Sequence, residues 1–308
     1  MSQKVVVVGS YNADMIIKAP RLPRLGETIL GGRFHTSPGG KGANQAVAAA
    51  RAGANVVLVA RVGDDLLGQE ALRGLQAEGV NTDHVSVDHG NQTGTAWIIV
   101  DDRGENCIVV ASGANACLSP DDILRAEASI TASDILLMQL ECPVPALERA
   151  MQIARRDNVT VILNPAPAMP LSAGFLSGVS IITPNEVEAE MLTGVKIGGE
   201  ESLVQAAGSL HNWGIGTVII TLGARGAFLS TAGEHRFLPA FQVTPVDTTA
   251  AGDVFSGCLA AFADRTHSLQ DAVRVSMAAA ALSVTKLGAQ DSAPTLEAIT
   301  QFLAHSPR

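Results

Sequence analysis

Apolar positions along the chain fall into short runs of two kinds, and the two kinds alternate. Residues 4–9 read Lys-Val-Val-Val-Val-Gly, apolar without a break until Gly9 ends the run. Segments 56–61, 135–139, 159–163, 181–183, 217–221 and 227–230 have the same Val, Ile and Leu character. Runs of strand length with no polar face predict strands of a parallel sheet that is covered on both sides. Helical patterns lie between them. Segment 40–52 is Ala-rich and is followed by Gly53, a stop signal, and 65–78 carries Leu67, Ala71 and Leu75 on one side. Segments 145–156, 251–264, 269–285 and 294–303 also read as helices. Strand and helix signals in alternation predict an α/β fold.

Two stretches break this rhythm. Segment 14–36 holds Pro20, Pro23, Gly26, Gly31 and Gly32 between short β-prone pieces. Segment 93–111 is β-prone on both sides of Asp101-Asp-Arg-Gly104, which predicts a hairpin turn. We expect these stretches to form a small separate sheet. No repeat, linker or low-complexity segment interrupts the chain, so residues 1–308 are expected to form a single domain.

Composition narrows the partners. A chain of 308 residues can bury a full apolar core without disulfides or metals. The net charge is −9 and no run of Lys or Arg exists, which argues against nucleic acid and anionic membranes as partners. No apolar run approaches the roughly 20 residues of a membrane span, and the first run is too short for a signal-peptide core. A cytoplasmic protein is expected. Cys107, Cys117, Cys142 and Cys258 show no CxxC spacing, and the seven His residues show neither HxH nor HExxH.

Several familiar sites are absent. The first strand is followed by Gly9-Ser-Tyr-Asn-Ala-Asp14, not GxGxxG, which argues against a dinucleotide fold. Gly40-Lys41 is followed by Gly42, so there is no Walker A loop, and GxSxG does not occur. Three helix starts remain as candidates. Ser37-Pro-Gly-Gly-Lys-Gly-Ala-Asn44 opens the Ala-rich helix and can set Lys41 and Asn44 on one side of its first turn. Taken alone it is an ordinary glycine turn. Asp247-Thr-Thr-Ala-Ala-Gly-Asp253 precedes or opens a helix and would aim consecutive N–H groups at an anion. Asp253 there suits a helix cap or a general base beside a phosphate. Thr183-Pro-Asn-Glu-Val-Glu188 starts a third helix. Asn185 and Glu188 either cap it or face a Mg²⁺-bound phosphate through water.

Together these segments resemble the phosphofructokinase-B-type carbohydrate kinases. Gly39-Gly-Lys-Gly-Ala-Asn44 and 247–253 are similar to the two family motifs, with Asn164-Pro-Ala-Pro-Ala168, Pro184-Asn-Glu-Val-Glu188 and Thr221-Leu-Gly-Ala-Arg-Gly226 in order between them. Asn12-Ala-Asp14, Met138-Gln-Leu-Glu141 and 286–290 extend the likeness, within that family, to its ribose-phosphorylating members. The resemblance implies a three-layer α/β/α fold with a largely parallel central sheet and a small β-sheet lid from about 14–36 and 93–111. It further implies a homodimer paired through the lid, and transfer of phosphate from ATP to the 5-hydroxyl of D-ribose. By that likeness Asn12, Asp14, Gly40, Lys41, Asn44, Glu141 and Asp253 would meet the sugar, with Asp253 as catalytic base. Asn185, Thr221, Gly223, Gly226, Gly252 and Met277 would meet ATP. Ala250, Ala251 and Gly252 would form an anion hole, and Asn185 with Glu188 would lie near Mg²⁺. Asp247, Thr249, Ser283, Lys286, Gly288 and Ser292 would surround K⁺, mostly through backbone carbonyls. The chain departs from the family at Ala250, where many members have Gly, and at Met277, where some have His.

The residue types suit a polyol. Asp14 and Glu141 accept, Lys41 donates, and Asn12 and Asn44 can do both. Two other readings stand beside this one: a kinase of another small sugar such as 2-deoxyribose, and a catalytically silent sugar-binding protein. A nucleoside kinase fits less well, because Trp97, Trp213 and Tyr11 are the only Trp or Tyr residues available to stack a base.

Overall fold

The computed structural model describes residues 2–263 and 268–305. The chain enters on strand β1 (Lys4–Val8), where Val5 and Val7 join the core on one side and Val6 and Val8 the core on the other. Burial of both faces is why the run lacks polar alternation. Strands β2 (Asn12–Lys18) and β3 (Arg33–Gly39) follow, then helix α1 (Lys41–Arg51), β4 (Asn55–Gly63), α2 (Leu66–Ala77) and β5 (Asn81–Asp88). Next come the hairpin β6 (Gly94–Val100) and β7 (Asn106–Ala111), and the short helices α3 (Pro120–Arg125) and α4 (Glu127–Thr131). The middle of the chain alternates: β8 (Ile135–Met138), α5 (Val144–Arg156), β9 (Thr160–Leu163), α6 (Ala173–Leu176), β10 (Ile181–Ile182), α7 (Glu186–Thr193), α8 (Glu200–Asn212) and β11 (Thr217–Thr221). Strands β12 (Gly226–Thr231) and β13 (Glu234–Pro239) precede α9 (Ala251–Phe262), α10 (Leu269–Ser283) and α11 (Leu296–His305). The expected end of the α9 segment at Asp264 lies outside the described residues.

The main sheet has the order β13-β12-β11-β10-β9-β8-β1-β4-β5. From β11 to β5 every pairing is parallel, as the apolar runs predict. The run at 227–230 is the exception, because β12 and β13 are antiparallel. The connection 222–225 is too short to carry a crossover, so the chain can only turn back. One core packs α5 and α8 against the sheet, and the other packs α1, α9 and α10 against its opposite face. The fold is therefore α/β in three layers. Several elements gave no clear signal: β5 mixes polar and apolar positions, β13 is largely exposed, α8 is not marked by a run, and α3, α4 and α6 are short helices that the pattern does not announce.

The second sheet has the order β3-β2-β6-β7, built from the two stretches that broke the rhythm. Its ladder reaches further than 14–36, since Asn12 pairs with Gly39 and with Gly94. Asp101 to Gly104 closes the β6–β7 hairpin as expected, with the Gly104 N–H donating to the Asp101 carbonyl at 3.0 Å.

Two glycines let helices approach closely enough to set the site. A Cβ on Gly42 would sit 2.5 Å from Ser10 N, so only glycine lets the start of α1 ride on the end of β1. A Cβ on Gly257 in α9 would sit 2.3 Å from the Gln45 carbonyl oxygen of α1. Gly257→Ala should therefore destabilise the chain by about 1–3 kcal/mol through forced separation of α1 and α9. Gly74 in α2 has open space where a Cβ would go. Gly74→Ala should stabilise by about 0.5–1 kcal/mol. Urea unfolding of the two variants beside the parent protein measures both, and equal effects would contradict the packing argument.

Candidate active site

The parallel strands deliver their C-terminal ends to one edge of the sheet, and the polar residues collect just beyond that edge. Ser10 follows β1, Gln139 and Glu141 follow β8, Asn164 follows β9, and Thr183 and Asn185 follow β10. Helix α1 starts there too. Its N-cap, Gly40, has φ 87° and offers no side-chain cap. The Glu141 carboxylate takes that place, accepting from the Lys41 N–H at 3.0 Å and from Ser10 Oγ at 2.5 Å through one oxygen, Oε2. A carboxylate at a helix N-terminus is favoured by the orphan N–H groups and the dipole.

The predicted sugar residues meet at this point, and the structure divides their roles. Asn12 Oδ1 already accepts from Asn115 Nδ2 at 2.8 Å, so Asn12 is left with its N–H groups to offer. Asn44 Nδ2 donates to Asp253 Oδ2 at 3.0 Å, while Asn44 Oδ1 is buried without a partner and is left to accept. An unpaired buried oxygen calls for a donor such as a hydroxyl. Asp14 packs against Gly39, where any Cβ would lie 2.3 Å from the carboxylate. Burial, with the charges of Glu141 and Asp253 added, pushes the Asp14 carboxyl up to about 7. The charge of Asp253 is the main cause that raises Lys41. Burial opposes it, and Glu141 and Glu188 add to the rise. Sequence reasoning missed Ser10 and Asn115. It also missed Gln45, whose only signal was a second polar residue beside Asn44 in the Ala-rich run of α1.

Asp253 lies in the first turn of α9, as expected. Ala250 is the N-cap of that helix in the left-handed region, φ 58° and ψ 12°. That conformation costs a residue with a Cβ about 1–2 kcal/mol, which is the physical reason glycine would serve here. Beside this loop opens a cleft of about 520 Å³. All six predicted nucleotide residues, Asn185, Thr221, Gly223, Gly226, Gly252 and Met277, line it. Phe241, Val243 and Val284 complete an apolar wall that no motif announced.

The remaining predicted residues lie around this junction. Asn185 and Glu188 form a reciprocal capping box at α7, with Glu188 N–H to Asn185 Oδ1 at 2.8 Å and Asn185 N–H to Glu188 Oε2 at 2.9 Å. Asn185 Oδ1 and Glu188 Oε2 are thus both engaged in the cap. Among the described residues no group of three His, Cys, Asp or Glu is placed to hold a metal ion. Asp247 accepts from the Thr249 N–H at 2.9 Å and the Gly288 N–H at 3.0 Å, tying the loop before α9 to the loop after α10. The Lys286 N–H donates to the Ser283 carbonyl at 3.1 Å. The hydroxyls of Ser283 and Ser292 donate to nearby carbonyls, those of Ala280 and Ala289.

The state of Asp14 has a consequence for stability. Its carboxyl moves from an ordinary 3.8 to about 7 on folding, so the native chain binds more protons than the unfolded chain between those values. Stability from this group therefore falls as pH rises through that window. Asp14→Asn removes the fall. The stability gained by the variant over the parent should be larger at pH 8 than at pH 5 in urea titrations, and an equal difference at both would contradict the assignment.

Comparison with known proteins places this geometry. The profile of the pfkB family carbohydrate kinases matches residues 2–296. A ribokinase from Haemophilus influenzae is 47% identical over 306 residues, covering 99% of this chain and 100% of the relative. A deoxyribokinase from Salmonella typhi is 35% identical over 301 residues, covering 97% of this chain and 98% of the relative. The structure of Arabidopsis thaliana ribokinase complexed with ribose and ATP superposes with a TM-score of 0.91 at 32% identity, covering 98% of this chain and 99% of that one. The chain belongs to the pfkB family of carbohydrate kinases.

Proposed function

We propose that the chain is a ribokinase, transferring the terminal phosphoryl group of ATP to the 5-hydroxyl of D-ribose to give ribose 5-phosphate. The observation that carries this is the position of the first turn of α9. Ala251 and Gly252 line the apolar cleft, and the carboxylate of the next residue, Asp253, is bonded to Asn44 of the polar cluster. A nucleotide on one side and a polyol on the other would meet there.

Each residue then has a chemical task. Asp14, Asn12, Asn44, Lys41 and Glu141, with the backbone at Gly40, orient the sugar hydroxyls. Asp253 accepts the proton as the 5-hydroxyl attacks. The N–H groups from Ala250 to Gly252 hold the charge that develops on the moving phosphoryl group, which in phosphoryl transfer matters more than covalent help. Mg²⁺, when bound, would neutralise charge on the ATP phosphates, and Asn185 and Glu188 would be the residues to hold it, through water. K⁺ fits the loops joined by Asp247 and Gly288, near Thr249, Ser283, Lys286 and Ser292. Both oxygens of Asp247 accept N–H groups, and the resemblance to the family implies that most ligands there would be backbone carbonyls. The second sheet acts as a lid that excludes water from the transfer. It also leaves Phe34, Trp97, Ile108 and Val110 half exposed or more, which supports pairing of two copies through that sheet. A cytoplasmic setting, where Mg-ATP is at hand, goes with this reading. The deoxyribokinase relative favours 2-deoxyribose as the second choice of sugar.

Asp253→Asn is the direct test. Loss of a general base lowers kcat by about 10²–10⁴-fold. Ribose binding by calorimetry should survive, because the amide keeps the shape and one acceptor. A variant that keeps more than about a tenth of the parent kcat would remove the base role.

The sugar is tested by deletion of one hydroxyl. If Asn12 and Asp14 hold the 2- and 3-hydroxyls, 2-deoxyribose leaves a buried polar group unpaired at a cost of about 1–3 kcal/mol. That is roughly 5- to 150-fold in kcat/KM. Ribose should be preferred by about tenfold or more, and Asn12→Ala should narrow the ratio by weakening ribose more. An enzyme that prefers 2-deoxyribose would keep the family and change the substrate.

A further inference from the structure

We infer that Gln45 is a positioning residue for the transfer: it fixes the Asp253 carboxylate by passing on a hydrogen-bond direction that starts at the main chain of Thr183. The inference rests on Asp253 acting as the base.

Gln45 is fully buried and belongs to α1, so it cannot touch a sugar in the cluster above it. Its amide is used in full. Gln45 Nε2 donates to Asp253 Oδ1 at 2.9 Å and to Asn164 Oδ1 at 3.1 Å. Gln45 Oε1 accepts from Gln139 Nε2 at 2.6 Å. The direction of these bonds is not free. Asn164 Nδ2 donates to the Thr183 carbonyl at 3.1 Å, and a carbonyl can only accept. That bond forces Asn164 to turn its oxygen towards Gln45. Gln45 must then present its NH₂ group to Asn164, and the same NH₂ group has a second hydrogen for Asp253. Reversing the Gln45 amide would set oxygen against oxygen at both Asn164 and Asp253. A backbone carbonyl at the end of one strand therefore decides how a carboxylate on α9 is held.

The result is that the two Asp253 oxygens differ. Oδ1 is held by Gln45 from inside the protein, and Oδ2 meets Asn44 on the sugar side. A fixed donor on Oδ1 holds the carboxylate plane. Oδ2, which accepts only from Asn44 of the polar cluster, is the oxygen that takes the proton. Gln45 thus acts on the rate through Asp253, and not on sugar affinity.

Gln45→Met keeps length and volume and removes the donor. Loss of a hydrogen bond to a charged group predicts a fall in kcat of about 10- to 100-fold. The KM and calorimetric affinity for ribose should stay within about threefold, since no sugar contact is lost. Gln45→Glu keeps the shape and sets a second carboxylate against Asp253, so the pair should share a proton and block the base at neutral pH. The other charged groups around Asp253 are Lys41 from α1, Asp14 from β2, Glu141 after β8 and Glu188 from α7, and they are the same in both proteins. The acid limb of the kcat profile should therefore move to higher pH in Gln45→Glu, with activity recovering in alkali. A purely structural residue would not give that recovery.

A Gln45→Met enzyme with kcat within twofold of the parent overturns the inference, as does one whose KM rises in step with the loss of kcat. If Gln45→Met does not fold, Gln45→Glu decides alone, and an unshifted pH profile overturns the inference. Asp253→Asn is run in parallel. If it stays active, the base reading itself fails. If it is inactive while the Gln45 variants match the parent, only the positioning role fails.

Discussion

A carboxylate buried between two helices is the constraint on which this structure turns. Asp253 is only 5% exposed. A buried carboxylate without hydrogen-bond partners is costly. The chain meets the cost with two amide donors from consecutive residues of α1, Asn44 and Gln45. Consecutive residues on a helix point in different directions, so both can reach one carboxylate only if α1 and α9 lie very close. Gly257 permits that approach, and Gly42 permits the matching approach of α1 to β1. The packing of small residues between helices and the hold on the Asp253 carboxylate are in this sense one requirement.

The same crowding explains the electrostatics of the polar cluster. Asp14, Glu141 and Asp253 share one region with Lys41 as their cation, and burial together with the charges of Glu141 and Asp253 makes Asp14 harder to ionise. The site is left short of positive charge. A ligand rich in hydroxyl donors relieves such a cluster, because each hydroxyl can donate to a carboxylate without adding negative charge. The apolar cleft on the far side of α9 is different in kind, with Met277, Phe241 and Val284 in its wall. The first turn of α9 separates the two environments and exposes its N–H groups between them, where neither carboxylate crowding nor apolar wall would otherwise favour a phosphate.

Much was legible in the sequence. The uninterrupted Val run of β1 required a strand covered on both faces, and the alternation of such runs with helices required a parallel sheet. The helix starts at Lys41, Glu186 and Ala251 were marked by Gly, Asn and small residues, because capping is a local matter between neighbours in the chain. The resemblance then gathered Asn12, Asp14, Lys41, Asn44, Glu141 and Asp253 into one expected site, and the structure does bring them together.

Tertiary structure decided what local signals could not carry. The antiparallel turn of β12 depended on a connection too short to cross over. The polarity of Asn12 and Asn44, one left to donate and the other to accept, depended on Asn115 and Asp253, which are distant in the chain. The hold on Asp253 passed through Gln45, Asn164 and the carbonyl of Thr183, three segments that meet only when the sheet forms. A sequence records which groups can donate and accept. Which partner each one finds, and so which atom is left free for a ligand, is fixed only when the parallel strands end at one edge and the helices close over them.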